Sequence, residues 1–285
     1  NNSLRALLKD AELIDTEIKR FKFSEEKGKG IIRFGVVPLE SPADMFIKFT
    51  PLAEYLSKKL NRKVELKVAI DFEEAVSDIG KNVTQMCYMT PSTYIEAHNK
   101  YDTDVIAKAL RDGKPYQHSV IIARMDRNVN SVEDLKGKTF AFGDFHSTSS
   151  HIVPRAMLLE AGIELKDLHY YNYLGHHDDV AKAVLQGEFD AGGIMEATAH
   201  KFRDQGLKFL KVSENIPEFN ICVNKAVDKE EVSRLKSALT ELTNPSPENR
   251  RILESITKSY TGFVEARDED YDNIKSMMSK LGMLS

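Results

Sequence analysis

From Ile31 onward, short apolar runs alternate with stretches whose apolar residues recur every three or four positions. Buried strands joined by amphipathic helices produce this pattern. Residues 31–37, 64–68 and 84–89 read as strands, and 46–60, 72–79 and 91–100 as the helices between and after them. A β-α-β-α-β-α order predicts a parallel sheet flanked by helices, because a parallel connection needs a crossover of helix length. The pattern then repeats. Strands are expected at 118–123, 139–142, 169–173, 191–194 and 207–212, with helices at 131–135, 150–161, 178–185 and 197–205. A strand at 220–223 and helices at 229–243, 247–255 and 270–281 are left over.

Two α/β blocks followed by leftover elements imply a chain that crosses between two lobes twice. The expected crossings are 119–123 and 217–223. They give one lobe of 31–123 plus 221–285, a second of 124–220, and a two-strand hinge behind a cleft. Residues 1–30 stand apart. Leu4, Leu7, Leu8, Ala11, Leu13, Ile14 and Ile18 predict an amphipathic helix over about 3–23, ahead of a charged, Gly-containing linker. It reads either as an arm packed on its own domain or as a membrane-proximal connector or dimerisation helix.

Composition narrows the partners. Of 285 residues, 41 % are hydrophobic and 29 % charged, and the formal net charge is −4. This leaves no electrostatic footprint for nucleic acid, and no apolar run approaches the ~20 residues of a membrane span. No secretory leader opens the chain at Asn1, which says little about location because leaders are removed. Cys87 and Cys222 cannot form a four-thiolate metal site. Both fall in apolar strands and are expected reduced.

The chemistry concentrates at strand-to-helix junctions. In Phe142-Gly-Asp-Phe-His-Ser-Thr-Ser-Ser-His-Ile-Val-Pro154 a strand ends, a Gly-led loop follows, and hydroxyl residues stand where a helix begins. The first N–H groups of a helix lack internal acceptors and sit at the positive end of its dipole. Ser147, Thr148 and Ser149 are therefore expected to cradle an oxyanion. A second junction, Tyr88 to Tyr94, offers Thr90 and Ser92 as donors and Tyr88 and Tyr94 as walls. A third, Tyr173 to Val180, presents His176 and His177 at another helix start. Adjacent histidines point apart and no carboxylate spacing accompanies them, so neither a metal nor a cofactor is expected.

Phe34-Gly-Val-Val-Pro38, Tyr88-x-x-Pro-Ser-x-Tyr94, Gly143-Asp-x-x-Ser-Thr-Ser149 with Val153-Pro154, and Gly175-x-His-Asp178 with Val184-x-x-Gly187-x-x-Asp190-Ala191 resemble the phosphate, phosphite and phosphonate substrate-binding proteins of ABC transporters. These PhnD-like proteins have the type II periplasmic binding fold. The resemblance covers about 31–281 and includes the C-terminal Asp268-Glu-Asp-Tyr-Asp272 and Met277-Met278. It implies that Ser147, Thr148 and Ser149 clasp the oxygens of a small phosphorus oxyanion, that His177 joins them, and that the Tyr88–Tyr94 junction supplies the other side. It also implies an extracytoplasmic, membrane-associated location and an ABC permease as partner. Phe145, His146, His151, His176, Asp179 and Met195-Glu196 depart from the family's usual residues.

The expected function is thus a non-catalytic solute binder for an importer. The alternative is the sensor domain of a membrane receptor such as a histidine kinase, joined to its own transmembrane segment through residues 1–30. Nucleotide-loop, nucleophile-elbow and zinc-protease motifs are absent from the sequence. Glu40 and Glu196 are candidates to face the anion, rejecting sulfate or meeting an amino group on the ligand.

Overall fold

The structure, a computed structural model, describes residues 30–284. The helix expected over 3–23 lies outside them. Strand β1 (Ile32–Val36) is followed by α1 (Pro42–Leu60), which Ser41 caps by accepting from the Asp44 N–H and which buries Met45, Phe49, Leu52, Ala53, Leu56 and Leu60. Next come β2 (Val64–Val68), α2 (Phe72–Gly80), β3 (Met86–Met89), α3 (Pro91–Tyr101) and β4 (Asp104–Arg111). A two-residue strand, β5 (Tyr116–Gln117), leads to β6 (Ser119–Arg124), β7 (Thr139–Phe142), α4 (Val153–Glu160), β8 (Tyr170–Tyr173), α5 (His177–Gln186), β9 (Ala191–Met195), α6 (Glu196–Arg203) and β10 (Leu207–Val212). A second two-residue strand, β11 (Ile216–Pro217), precedes β12 (Asn220–Val223), α7 (Lys229–Glu241), α8 (Pro247–Ile256), β13 (Tyr260–Glu265) and α9 (Asp272–Lys280).

Two sheets organise these elements. The first has the order β13-β4-β12-β3-β1-β2 and the second β10-β6-β9-β7-β8. Both are mixed. Pairing is parallel around β1 and β7, where helices make the crossovers, and antiparallel where β12 and β6 enter from the other lobe. The boundary expected at 123 shifts accordingly. Residues 119–123 pair with β9, and β10 covers the strand's other edge, so β6 belongs to the second sheet. Its apolar run, Val120 to Ala123, is fully buried because the strand is interior to the sheet and covered on both faces. The chain passes between sheets at β5 and β11, which pair with each other.

Strands β4 and β13 were not expected. Their ladder carries a register shift at Gly262, whose φ of 158° and tight packing on Thr243 exclude a side chain. Such bulges break the period-two signal. In the first sheet Cys87 and Cys222 stand opposite one another, both buried and free. Burial pushes both thiols up.

Candidate functional site

A cavity of about 840 Å³ lies between the two sheets. From the second lobe, Asp144, Ser147, Thr148, Ser149, His176 and His177 line it. From the first, Glu40, Tyr88, Thr90, Arg111, Phe219 and Tyr260 do so. The structure therefore brings Ser147, Thr148, Ser149, His177, Tyr88, Thr90 and Glu40 of the expected residues to one cavity. Ser92, Tyr94 and Glu196 are not in its lining.

The Ser-Thr-Ser segment starts its helix as a wide π turn, Thr148–Ile152, continuous with α4. Pro154 explains the geometry. It has no N–H to give the carbonyls one turn back. Those carbonyls find other donors: Ser150 O accepts from Gly143 N at 3.1 Å and Ser149 O from Ser119 Oγ at 2.7 Å. Ser147 caps the turn, its Oγ accepting from Ser150 N at 3.2 Å. The turn is packed from beneath. A Cβ on Gly143 would lie 2.1 Å from Ser150 Oγ, and one on Gly193 2.3 Å from Pro154. Among the described residues, the Thr148 and Ser149 N–H groups and the Ser149 hydroxyl have no protein acceptor. These donors sit in an almost fully buried segment on the cavity wall.

The start of α5 adds to them. The His177 and Asp178 N–H groups also lack acceptors among the described residues. The His177 ring is fixed by Met195, whose N–H donates to Nδ1 at 2.9 Å. Nδ1 is thus unprotonated, and the neutral ring carries its proton on Nε2. Burial lowers the His177 pKa to about 4 and keeps the ring neutral. His151 takes the opposite tautomer, with Nδ1 donating to Phe145 O at 2.6 Å and Nε2 accepting from Tyr173 Oη at 3.0 Å. It is fully buried, and burial lowers its pKa to about 4.

The first lobe's polar groups are occupied. Thr90 caps α3, bonding Thr93 N and Thr93 Oγ1. Ser92 reaches across the seam: its N–H donates to Thr148 Oγ1 at 3.0 Å and its hydroxyl to His146 O at 2.5 Å. Tyr94 is fully buried and donates to Asp268 Oδ1 at 2.9 Å. Tyr88 Oη and Tyr260 Oη are 2.5 Å apart, and Phe219 stacks on Tyr88 at 5.2 Å. Burial pushes both phenols up, so both stay protonated. Glu218, fully buried, holds Arg111 through Nε at 2.5 Å and Nη2 at 3.3 Å. Arg111, Phe219 and Tyr260 escaped the sequence reading. Arg111 and Tyr260 lie on the two unrecognised strands, and nothing local marks either as facing a cleft.

The lysines lining the cavity are each paired with a carboxylate. Lys48 meets Glu40 at 2.5 Å and Lys201 meets Asp178 at 2.5 Å. Glu196 points elsewhere, pairing with His118 at 2.9 Å and His200 at 3.6 Å.

Comparison with known proteins identifies the family. The family described as "ABC transporter, phosphonate, periplasmic substrate-binding protein" matches residues 34–271, and the chain belongs to it. The phosphate-import protein PhnD of Mycolicibacterium smegmatis is 26 % identical over 275 residues, covering 88 % of this chain and 86 % of the relative. A solved structure of PhnD1 from Prochlorococcus marinus in complex with methylphosphonate has a TM-score of 0.78 at 21 % identity, covering 89 % of this chain and 98 % of that one. This likeness carries the two-lobed type II periplasmic binding fold. A more distant similarity, 20 % over 181 residues, is to the tetrathionate sensor histidine kinase TtrS of Salmonella typhimurium, covering 62 % of this chain and 31 % of that protein.

Proposed function

We propose that this chain is the extracytoplasmic solute-binding component of an ABC importer, and that its lobes close on a small phosphorus oxyanion, a phosphonate, phosphite, phosphate or phosphate ester. One observation carries the reading. Among the described residues, four backbone N–H groups at two helix starts, with the Ser149 hydroxyl, lack protein acceptors and belong to residues lining one cavity, where every Lys and Arg is already paired with a carboxylate. Such a site recognises an anion by fixed dipoles and by counting acceptors rather than by counter-charge. The neutral His177 contributes one further donor, Nε2–H. Ligand is bound without chemical change, since no side chain here is poised as nucleophile and base.

The ladder of β5 and β11 is the hinge of this reading, and closure about it seats the Ser-Thr-Ser cradle against α3. Thermal shift and calorimetry with phosphate, phosphite, methylphosphonate, aminoethylphosphonate and sulfate test it. A phosphorus oxyanion should raise the melting temperature, and scattering should show a radius of gyration falling from about 19 Å. Failure of all four phosphorus anions to bind, or equal competition by sulfate, removes the reading.

The similarity to a sensor kinase favours a second setting for the same clasp, as the ligand-binding domain of a membrane receptor. No described helix is long and apolar enough to cross a membrane, so the adjoining gene sequence decides. A transmembrane segment and kinase domain in the same reading frame would select the receptor. In that setting residues 1–30 supply the connector or a dimer contact. Light scattering of chains with and without residues 1–30 tests the dimer.

A further inference from the structure

The loop that carries the cradle makes a second contact on the outer side of the seam. His146 belongs to the second lobe, yet its ring rests on the first. Its Nδ1 lies 3.2 Å from both carboxylate oxygens of Glu96 on α3. The ring stacks on Phe72 of α2, with centroids 6.3 Å apart and planes 14° apart. The same loop is held from the same direction, His146 O accepting from Ser92 Oγ and the Thr148 hydroxyl from Ser92 N. Neither Glu96 nor His146 lines the ligand cavity. They line a separate surface cavity with Glu73, Lys81, Lys100 and Arg155.

We propose that Glu96 and His146 form a proton-operated clasp across the seam, a positioning pair that presses the cradle loop onto the first lobe more firmly when His146 carries its proton. The inference rests on the two-lobe closure described above. In the closed form the Glu96 carboxylate, bonded to the ring, raises the His146 pKa, with Asp144 and Glu73 adding to it. Partial burial of the ring opposes this, and Lys81, Lys100 and Arg155 are the basic residues lining the same cavity. His151 also packs on this loop, but it is neutral until pH falls to about 4 and is silent here. Opening separates Glu96 from His146 and returns the ring toward its ordinary titration. Closure therefore takes up a proton. Its stabilising effect is complete below the ordinary histidine range and is lost as pH rises through the raised value.

The pair is about one-quarter exposed, so solvent screening keeps the effect modest. Calorimetry with methylphosphonate and phosphate at pH 6 and pH 8, on wild type, Glu96→Gln and His146→Gln, reads it. Dividing wild-type affinity by that of each variant cancels the anion's own ionisation. The quotient should be about threefold or more at pH 6 and near one at pH 8. A quotient equal at the two pH values overturns the clasp. A second arm needs no ligand. The His146 titration midpoint by proton NMR should lie above that of an ordinary histidine and fall in Glu96→Gln. If no anion binds, the binding reading fails while this midpoint still judges the clasp, and a midpoint unmoved by Glu96→Gln overturns it.

Discussion

The two walls of the cavity are built from similar residues and do different work. On the second lobe, hydroxyls and helix starts keep donors in reserve: Thr148 N, Ser149 N, Ser149 Oγ, His177 N and Asp178 N have no protein acceptor among the described residues. On the first lobe, the same chemical types are committed. Thr90 closes a capping box, Ser92 bridges the seam, and Tyr88 and Tyr260 share one hydrogen bond beside the Arg111–Glu218 pair. A hydroxyl at a helix start is thus a ligand donor only where the fold has left it unspent. In the proposed function, one wall is the recognition surface. The other is a rigid, protonated, aromatic backstop whose polar atoms hold shape.

Substitutions can break this comparison, and the largest effect should come from beneath the recognition wall. Gly143→Ala places a methyl on buried Ser150 and displaces the turn. Anion binding should fall by about a hundredfold or more, and stability by about 2 kcal/mol, read by calorimetry and thermal melting. Undiminished binding would mean that the turn is not the recognition element.

A pH titration of stability should be the next largest. In the folded protein His151 titrates at about 4, below its unfolded value of about 6.5. Between these limits the unfolded chain binds more protons, so stability falls as pH drops from about 6.5 toward 4. The loss from this one ring is up to about 3 kcal/mol. Urea melts of wild type and His151→Gln across that window should diverge. Parallel curves would show that the ring does not carry the effect.

Ser149→Ala removes one unspent donor and should weaken anion binding about tenfold or more while leaving the melting temperature nearly unchanged. Thr90→Ala, on the committed wall, should do the reverse, costing about 1 kcal/mol of stability through the lost cap with a smaller effect on affinity. Equal affinity losses at both positions would erase the distinction between the walls. The smallest effect belongs to Glu196→Gln. The side chain lies outside the cavity and pairs with half-buried His118 and exposed His200, so affinity should change less than twofold. A large change in selectivity against sulfate would return Glu196 to the site.

How far the sequence revealed this varies with the distance over which each property is decided. The helix start at Ser147 to Ser149 was legible because its cause is local: a strand, a Gly-led loop, hydroxyls and Pro154 within a few residues. The division between reserved and committed hydroxyls was not. Ser92 and Ser149 look alike in sequence, and the partner that occupies Ser92 stands 56 residues away. The same reason hid Arg111 and Tyr260. Strand β4 pairs with β13 and with β12 across long separations, with bulges in both ladders, so neither β4 nor β13 shows a clean period of two. The lobe boundary slipped for a related reason. An apolar run announces a buried strand without saying which sheet buries it.

The order of strands in the first sheet also bears on how the chain assembles. Strand β12 lies between β3 and β4, antiparallel to both, although the whole second sheet separates it from them along the chain. A nascent chain therefore leaves one edge of β3 and both edges of β4 unmatched until residues 220–223 and then 260–265 emerge, and the sheet is completed by late strands. The second sheet is contiguous, from Ser119 to Val212, and has no such wait. Non-local insertion is slow and leaves edges open to wrong partners. The second lobe should thus acquire amide protection first in pulse-labelled refolding, and the first should remain the part that a holding chaperone has most reason to cover.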